Sequence, residues 1–283
     1  MLFLVTYLTL NPLVAGRREF LVAVSSQLIA SSSIGCDKAE SNWVGTSLPL
    51  QSLQEAVNKV GDSSTNNPAW PMARWPDPIL RRAASPVPEH YFATEILLRA
   101  CELLRNTAIQ EKAVGLAAEQ CGVNARIIYL QDIGQESSDN KPKWLERSKA
   151  KERRELTMVN PRIVGRSPET EMKVWEEHCL VLPPSFSATV LRDAWVDVEY
   201  QDPATIDRLP HDEGVPWKRI RLYGEPARAF QHEFDHDRGI LITDHVDYAD
   251  MENSRMVAVE RRGHAERMKI AYSREVCELR ATV

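Results

Sequence analysis

The sequence lacks a C-x-x-C pair. Its five cysteines, Cys36, Cys101, Cys121, Cys179 and Cys277, are odd in number and widely scattered, which argues against a disulfide scaffold or a zinc ribbon and favours a reducing compartment. Also missing is any apolar run of about 18 residues, so no stable membrane span is expected. Positive charge is not in excess either: a net charge of -5 and a pI near 5.9 leave no broad basic surface, and DNA is not an expected partner. No internal repeat is visible. What is present is 283 residues with 43 % hydrophobic content, enough for one sizeable core and an extension.

The first segment, residues 1–35, has no acidic residue before Glu19 and none again until Asp37. Two short apolar runs flank Arg17 and Arg18, a pattern read as a targeting segment. A secretory signal followed by a transit-like stretch suits a plastid (chloroplast), with a mitochondrial presequence as the simpler alternative. Residues 36–72 are polar and read as a linker. The folded domain is expected over 73–250, followed by a charged helical extension over 251–283.

Within the domain, Ile96, Leu97, Ala100, Leu103 and Leu104 recur at helical spacing. The runs ARIIYLQD, TMVNPRIV, KVWEEHCLVLP and AWVDVEY read as strands. In the last, Val196, Val198 and Tyr200 alternate with Trp195, Asp197 and Glu199, as on a half-buried antiparallel strand. The segment 135–155 and the stretch 202–218 read as hydrophilic insertions. The extension carries seven basic residues against five acidic ones between Glu252 and Arg280. A contact with the ribosome and a solvated terminal helix are both open readings.

The stretch QHEFDHDRG, Gln231 to Gly239, carries the pattern H-E-x-x-H. On a helix, residues four apart share a face, so His232 and His236 can direct two imidazoles at one metal ion. Glu233 then lies beside the ion, where a carboxylate can exchange a proton with water. Ala227, Phe230 and Phe234 fall on the opposite side, so the helix is expected to be buried on both faces. Two imidazoles leave a catalytic metal one protein ligand short. Downstream, Asp244 or His245 could complete it, as in a zinc peptidase; upstream, Cys179 could, from a strand.

Three segments together, VGLAAEQCG (Val114 to Gly122), EHCLVLP (Glu177 to Pro183) and QHEFDHDRG, resemble the peptide deformylases in order and spacing. The flanking WPDPILRR, MVNPRI and GILITDHV also look like that family. The resemblance spans roughly Ala73 to Asp247 and implies an α+β fold, mostly antiparallel sheets around a central H-E-x-x-H helix. It implies Cys179, His232 and His236 as ligands of one divalent metal ion, Fe(II) in preference to Zn(II), Ni(II) or Co(II). Glu233 is implied as general base, with the Gln120 side chain and the Leu180 backbone N–H as oxyanion donors. The peptide would pair along Val114, Gly115, Leu116 and His178. Glu177 would be an orienting carboxylate with Arg192 as its partner. The implied substrates are N-formyl-methionyl peptides and nascent organellar chains, deformylated with release of formate.

Several positions depart from the family pattern. Ala113 and His178 stand where glycines are usual, Glu119 where a proline is, and Val181 where a serine is. Ser187 replaces an arginine and Asp237 a leucine. No metal ligand, general base or oxyanion glutamine is lost. An active enzyme with altered specificity is therefore expected, against a non-catalytic homologue or an H-E-x-x-H zinc peptidase. His90, His211 and His264 carry no functional expectation.

Overall fold

The computed structural model describes residues 50–60, 67–92, 94–131, 155–204, 214–251 and 254–277. The targeting reading of residues 1–35 and most of the two insertion readings lie outside them. The described residues fall within one unit, Glu40–Val283. Helices α1 (Leu53–Val60), α2 (Glu95–Gln110) and α3 (Gly224–His236) accompany strands β1 (Gly115–Ala117), β2 (Ile127–Leu130) and β3 (Leu156–Arg166). The remaining strands are β4 (Lys173–Glu177), β5 (Ala188–Arg192), β6 (Trp195–Gln201) and β7 (Trp217–Tyr223). Two helices, α4 (Ser254–Glu260) and α5 (His264–Tyr272), lie in the described part of the extension.

A five-stranded sheet in the order β1-β2-β3-β6-β7 is antiparallel throughout, and β4 and β5 form a separate antiparallel pair. This is the expected α+β arrangement. Alternation along β2 explains why its sequence is apolar at every position. Ile127 and Tyr129 pack in the core that holds α2, while Ile128 and Leu130 pack in the core that holds α3. A strand covered on both faces has no polar side to show.

The α3 helix also behaves as its two-sided pattern requires. Ala227 and Phe230 are fully buried against the sheet, and Phe230 stacks on Phe234. Burial of a side chain the size of Phe230 contributes about 1.5–3 kcal/mol. The helix stops ahead of Gly239, whose φ of 72° is left-handed and whose Cα lies so close to Arg81 that a Cβ would stand 2.8 Å from that residue's backbone. Only glycine meets both demands.

Three readings are corrected. The stretch read as a linker contains α1, whose Leu53 and Ala56 are buried with Trp70 in the α2 core. Eight residues, with Leu53 and Ala56 buried and Val57 and Val60 packed against the same core, are too short a helix to stand out within an otherwise polar stretch. In the stretch 202–218, Trp217 and Lys218 belong to β7. The extension is docked: Glu260, His264 and Arg267 are buried, with Arg267 paired to Asp244 and Glu260. Arg81 pairs with the same two acids. No helix among the described residues is long and apolar enough to cross a membrane.

Candidate metal centre

Cys179, His232 and His236 are all buried, and one donor atom from each lies within 4.8 Å of the others. Cys179 Sγ stands 3.1 Å from His236 Nε2. Strand β4 ends at Glu177, so Cys179 sits in the following turn and not on the strand where its sequence context placed it. The turn lets the thiol reach α3 while His178 and Leu180 on either side are exposed. The downstream donors are engaged elsewhere: His245 Nε2 is 2.8 Å from Asp235 Oδ2, and Asp244 pairs with Arg81 and Arg267. Cys179 is therefore the third donor of the cluster.

The electrostatics suit a cation. Burial opposes ionisation of Cys179, yet positive charge at His236 and hydrogen bonding with charge at His232 outweigh it and hold the thiol well below its ordinary range. For His232, burial favours the neutral ring, but the thiolate and Glu177 overcome this and raise its pKa. Such a donor set, one thiolate and two imidazoles around a point of stabilised positive charge, fits a divalent transition metal.

The ligand histidine is held from behind. His232 Nδ1 is 2.8 Å from Glu177 Oε2, which leaves Nε2 as its metal-facing nitrogen. Arg192 donates to both Glu177 oxygens at 2.9 Å and, through Nη1, to Asp235 Oδ2 at 2.5 Å. The Glu177–Arg192 pairing is the one anticipated. Asp235 was not, although its place between His232 and His236 on a buried helix was an available signal.

Glu233 is 5 % exposed, and its Oε2 has no hydrogen-bond partner. Burial raises its pKa, with charge at His232 and His236 opposing. Gly115 lies against it: a Cβ there would be 2.7 Å from Glu233 Cγ. Gln120 is buried and accepts the Ala117 N–H through Oε1 at 2.8 Å, so its amide nitrogen is the end left to donate. The Leu180 carbonyl accepts from Arg74 at 2.6 Å, anchoring the turn beside Cys179. Leu116 is buried, and Val114 is exposed immediately before β1.

Two of the unusual residues are brought inside. Glu119 and Asp237 are buried, and no oxygen of either carboxyl has a hydrogen-bond partner. Burial raises Glu119 well above the ordinary range, helped by the negative charge of Asp237. Burial likewise pushes Asp237 up to about 7, against partial relief from Arg126 and Arg238. In the unfolded chain this carboxyl titrates near 3.8. Between those values the folded state retains a proton that the unfolded state releases, so stability falls as pH rises through the window and levels off above it. At pH 8 a shift of that size corresponds to about 4 kcal/mol, of which removal of the carboxyl recovers only part, because Arg126 Nε loses its ion-pair partner 3.2 Å away. Asp237→Leu is expected to raise Tm by about 4–8 °C at pH 8 and hardly at all at pH 4, as thermal unfolding at the two pH values would read.

Fold and site thus define a buried thiolate–diimidazole centre with an adjacent carboxylate, the constitution of a metal-dependent hydrolase. The family profile for polypeptide deformylase matches residues 70–252, and the chain belongs to that family, whose members are metal-dependent hydrolases that remove the N-formyl group from initiator-methionine peptides. A peptide deformylase of Thermotoga neapolitana is 35 % identical over 170 residues, covering 60 % of this chain and 82 % of the relative. One from Rhizobium meliloti is 33 % identical over 176 residues, covering 62 % and 84 %. The crystal structure of a class I type b peptide deformylase from Acinetobacter baumannii, bound to Met-Ala-Ser, is 27 % identical with a TM-score of 0.49, covering 63 % of this chain and 98 % of that one.

Proposed function

We propose that this chain deformylates nascent proteins in a plastid, with a mitochondrion as the alternative, using Fe(II) held by Cys179, His232 and His236. The observation that carries the reading of the site is the convergence of those three donors beside Glu233. The acid-free start of residues 1–35, interrupted only by Glu19, supports the organellar assignment. The donor set would also accept Zn(II), Ni(II) or Co(II); the choice of Fe(II) rests on the family.

When bound, the ion supplies a Lewis acid that polarises the formyl oxygen and makes water acidic at neutral pH. Glu233 takes a proton from the attacking water and returns it to the amine nitrogen as the C–N bond breaks, leaving formate and a free amino terminus. The Gln120 amide and the Leu180 N–H donate to the oxygen on which negative charge builds. The segment Val114–Leu116, which leads into β1, and His178, just beyond β4, hold the peptide between them in strand fashion. His178, exposed where the family has glycine, puts a side chain at that edge and favours altered specificity.

Formate release from formyl-Met-Ala-Ser by anaerobically purified, Fe(II)-loaded protein tests the activity. Turnover is expected; none from metal-replete protein would turn the reading towards a non-catalytic homologue. Gly115→Ala is expected to lower kcat about tenfold or more, because the new methyl must displace the Glu233 side chain and small misplacements at a reacting centre are costly. Steady-state kinetics with metal content measured in parallel would check it.

A further inference from the structure

We infer that His245, with Tyr272 of the C-terminal extension behind it, is a positioning element for the metal centre, so that the extension helps to set metal affinity and turnover. The inference rests on the assignment of Cys179, His232 and His236 as ligands.

A continuous series of contacts runs from the extension to a ligand. Tyr272 lies on α5, and its hydroxyl donates to the His245 carbonyl at 2.7 Å while the two rings meet edge-on, 5.7 Å between centroids. The other end of His245 reaches back to α3 at Asp235 Oδ2, the same oxygen that receives Arg192 Nη1. Arg192 then grips Glu177, and Glu177 fixes His232 Nδ1. His245 and Asp235 are both buried.

Geometry explains why the last links need the first. The Arg192 guanidinium is a rigid planar fork and cannot satisfy Glu177 and Asp235 together unless both carboxylates are aimed correctly. Glu177 is aimed by the bidentate contact itself. Asp235 is aimed by His245 on one oxygen and by Arg238 on the other, the latter from a partly exposed side chain. Without the His245 N–H, Asp235 can turn about its χ2, drawing Arg192 away from Glu177 and loosening the tautomer and orientation of His232. A donor behind a ligand histidine typically changes metal affinity or activity by about 10–100-fold; a group one contact further back should act more weakly.

His245→Phe keeps a ring against Tyr272 and removes the donor, while His245→Gln restores an N–H. For full-length protein reconstituted with Co(II), the dissociation constant from chelator competition is expected to rise about fivefold to tenfold in His245→Phe, with an altered Co(II) absorption spectrum. His245→Gln should return it to within about twofold, and Tyr272→Phe should raise it about twofold to threefold. In the Fe(II) enzyme kcat should fall and KM stay near wild type. His232→Ala is the control for the site itself: if it leaves Co(II) affinity intact, the ligand assignment fails. If His232→Ala abolishes binding while His245→Phe matches wild type in affinity and spectrum, the inference is overturned. Should His245→Phe not fold, Tyr272→Phe decides, and an unchanged dissociation constant there overturns it.

Discussion

Glu233→Gln is expected to lower formate release by about 10²–10⁴-fold and to leave the metal in place. Glutamine preserves the volume that Gly115 accommodates, so the close approach between residues 115 and 233 survives the change. It removes only the capacity to take and return a proton. The carboxylate is well placed for that task, being buried, with one oxygen unpartnered and directly beside a ligand histidine. It is not one of the three clustered donors. Turnover measured together with metal content separates the outcomes. Loss of metal would make Glu233 a ligand, and unchanged turnover would require another base.

What was legible in the chain follows from which signals are local. Four-residue spacing placed His232 and His236 on one face of α3, and the apolar residues opposite them forecast a helix packed on two sides. Alternation in AWVDVEY gave a strand with Val196, Val198 and Tyr200 inside, as observed. Cys179 was identified as a ligand by resemblance, but its setting was misread. An apolar run after a strand looks like more strand, whereas the strand ends at Glu177 and the chain turns over Cys179–Leu182, where the thiol meets α3. Charge misled in a similar way. Glu260 and Arg267 read as solvent-facing because a lone charge avoids the interior, yet together with Asp244 and Arg81 they neutralise one another inside it. Glu119 and Asp237 are harder still. Nothing in either local sequence says that these two acids will be buried where each feels the other's charge, since they lie far apart along the chain.

Cys179→Ala is expected to weaken metal binding by about 10³-fold or more, because structural zinc affinities of about 10–16 kcal/mol are shared among four ligands. The loss should exceed a simple share, since the thiolate is also the only anionic donor in the cluster and offsets half the charge of a divalent ion. Cys179→Asp, which restores an anionic oxygen donor, should recover part of the affinity, while the sulfur-to-metal charge-transfer absorption of the Co(II) protein disappears. Equilibrium dialysis and the Co(II) spectrum would read both effects. Tight binding retained in Cys179→Ala would demand a different third ligand, and of the two residues that the sequence offers downstream, Asp244 and His245, the imidazole is His245. Recruiting it would require breaking the 2.8 Å contact with Asp235 and leaving that buried carboxylate one donor short. Breaking a buried charged contact by removing one partner costs about 3–5 kcal/mol, so a peptidase-like ligand set would come at the expense of the same side chains that hold Arg192, Glu177 and His232 in place.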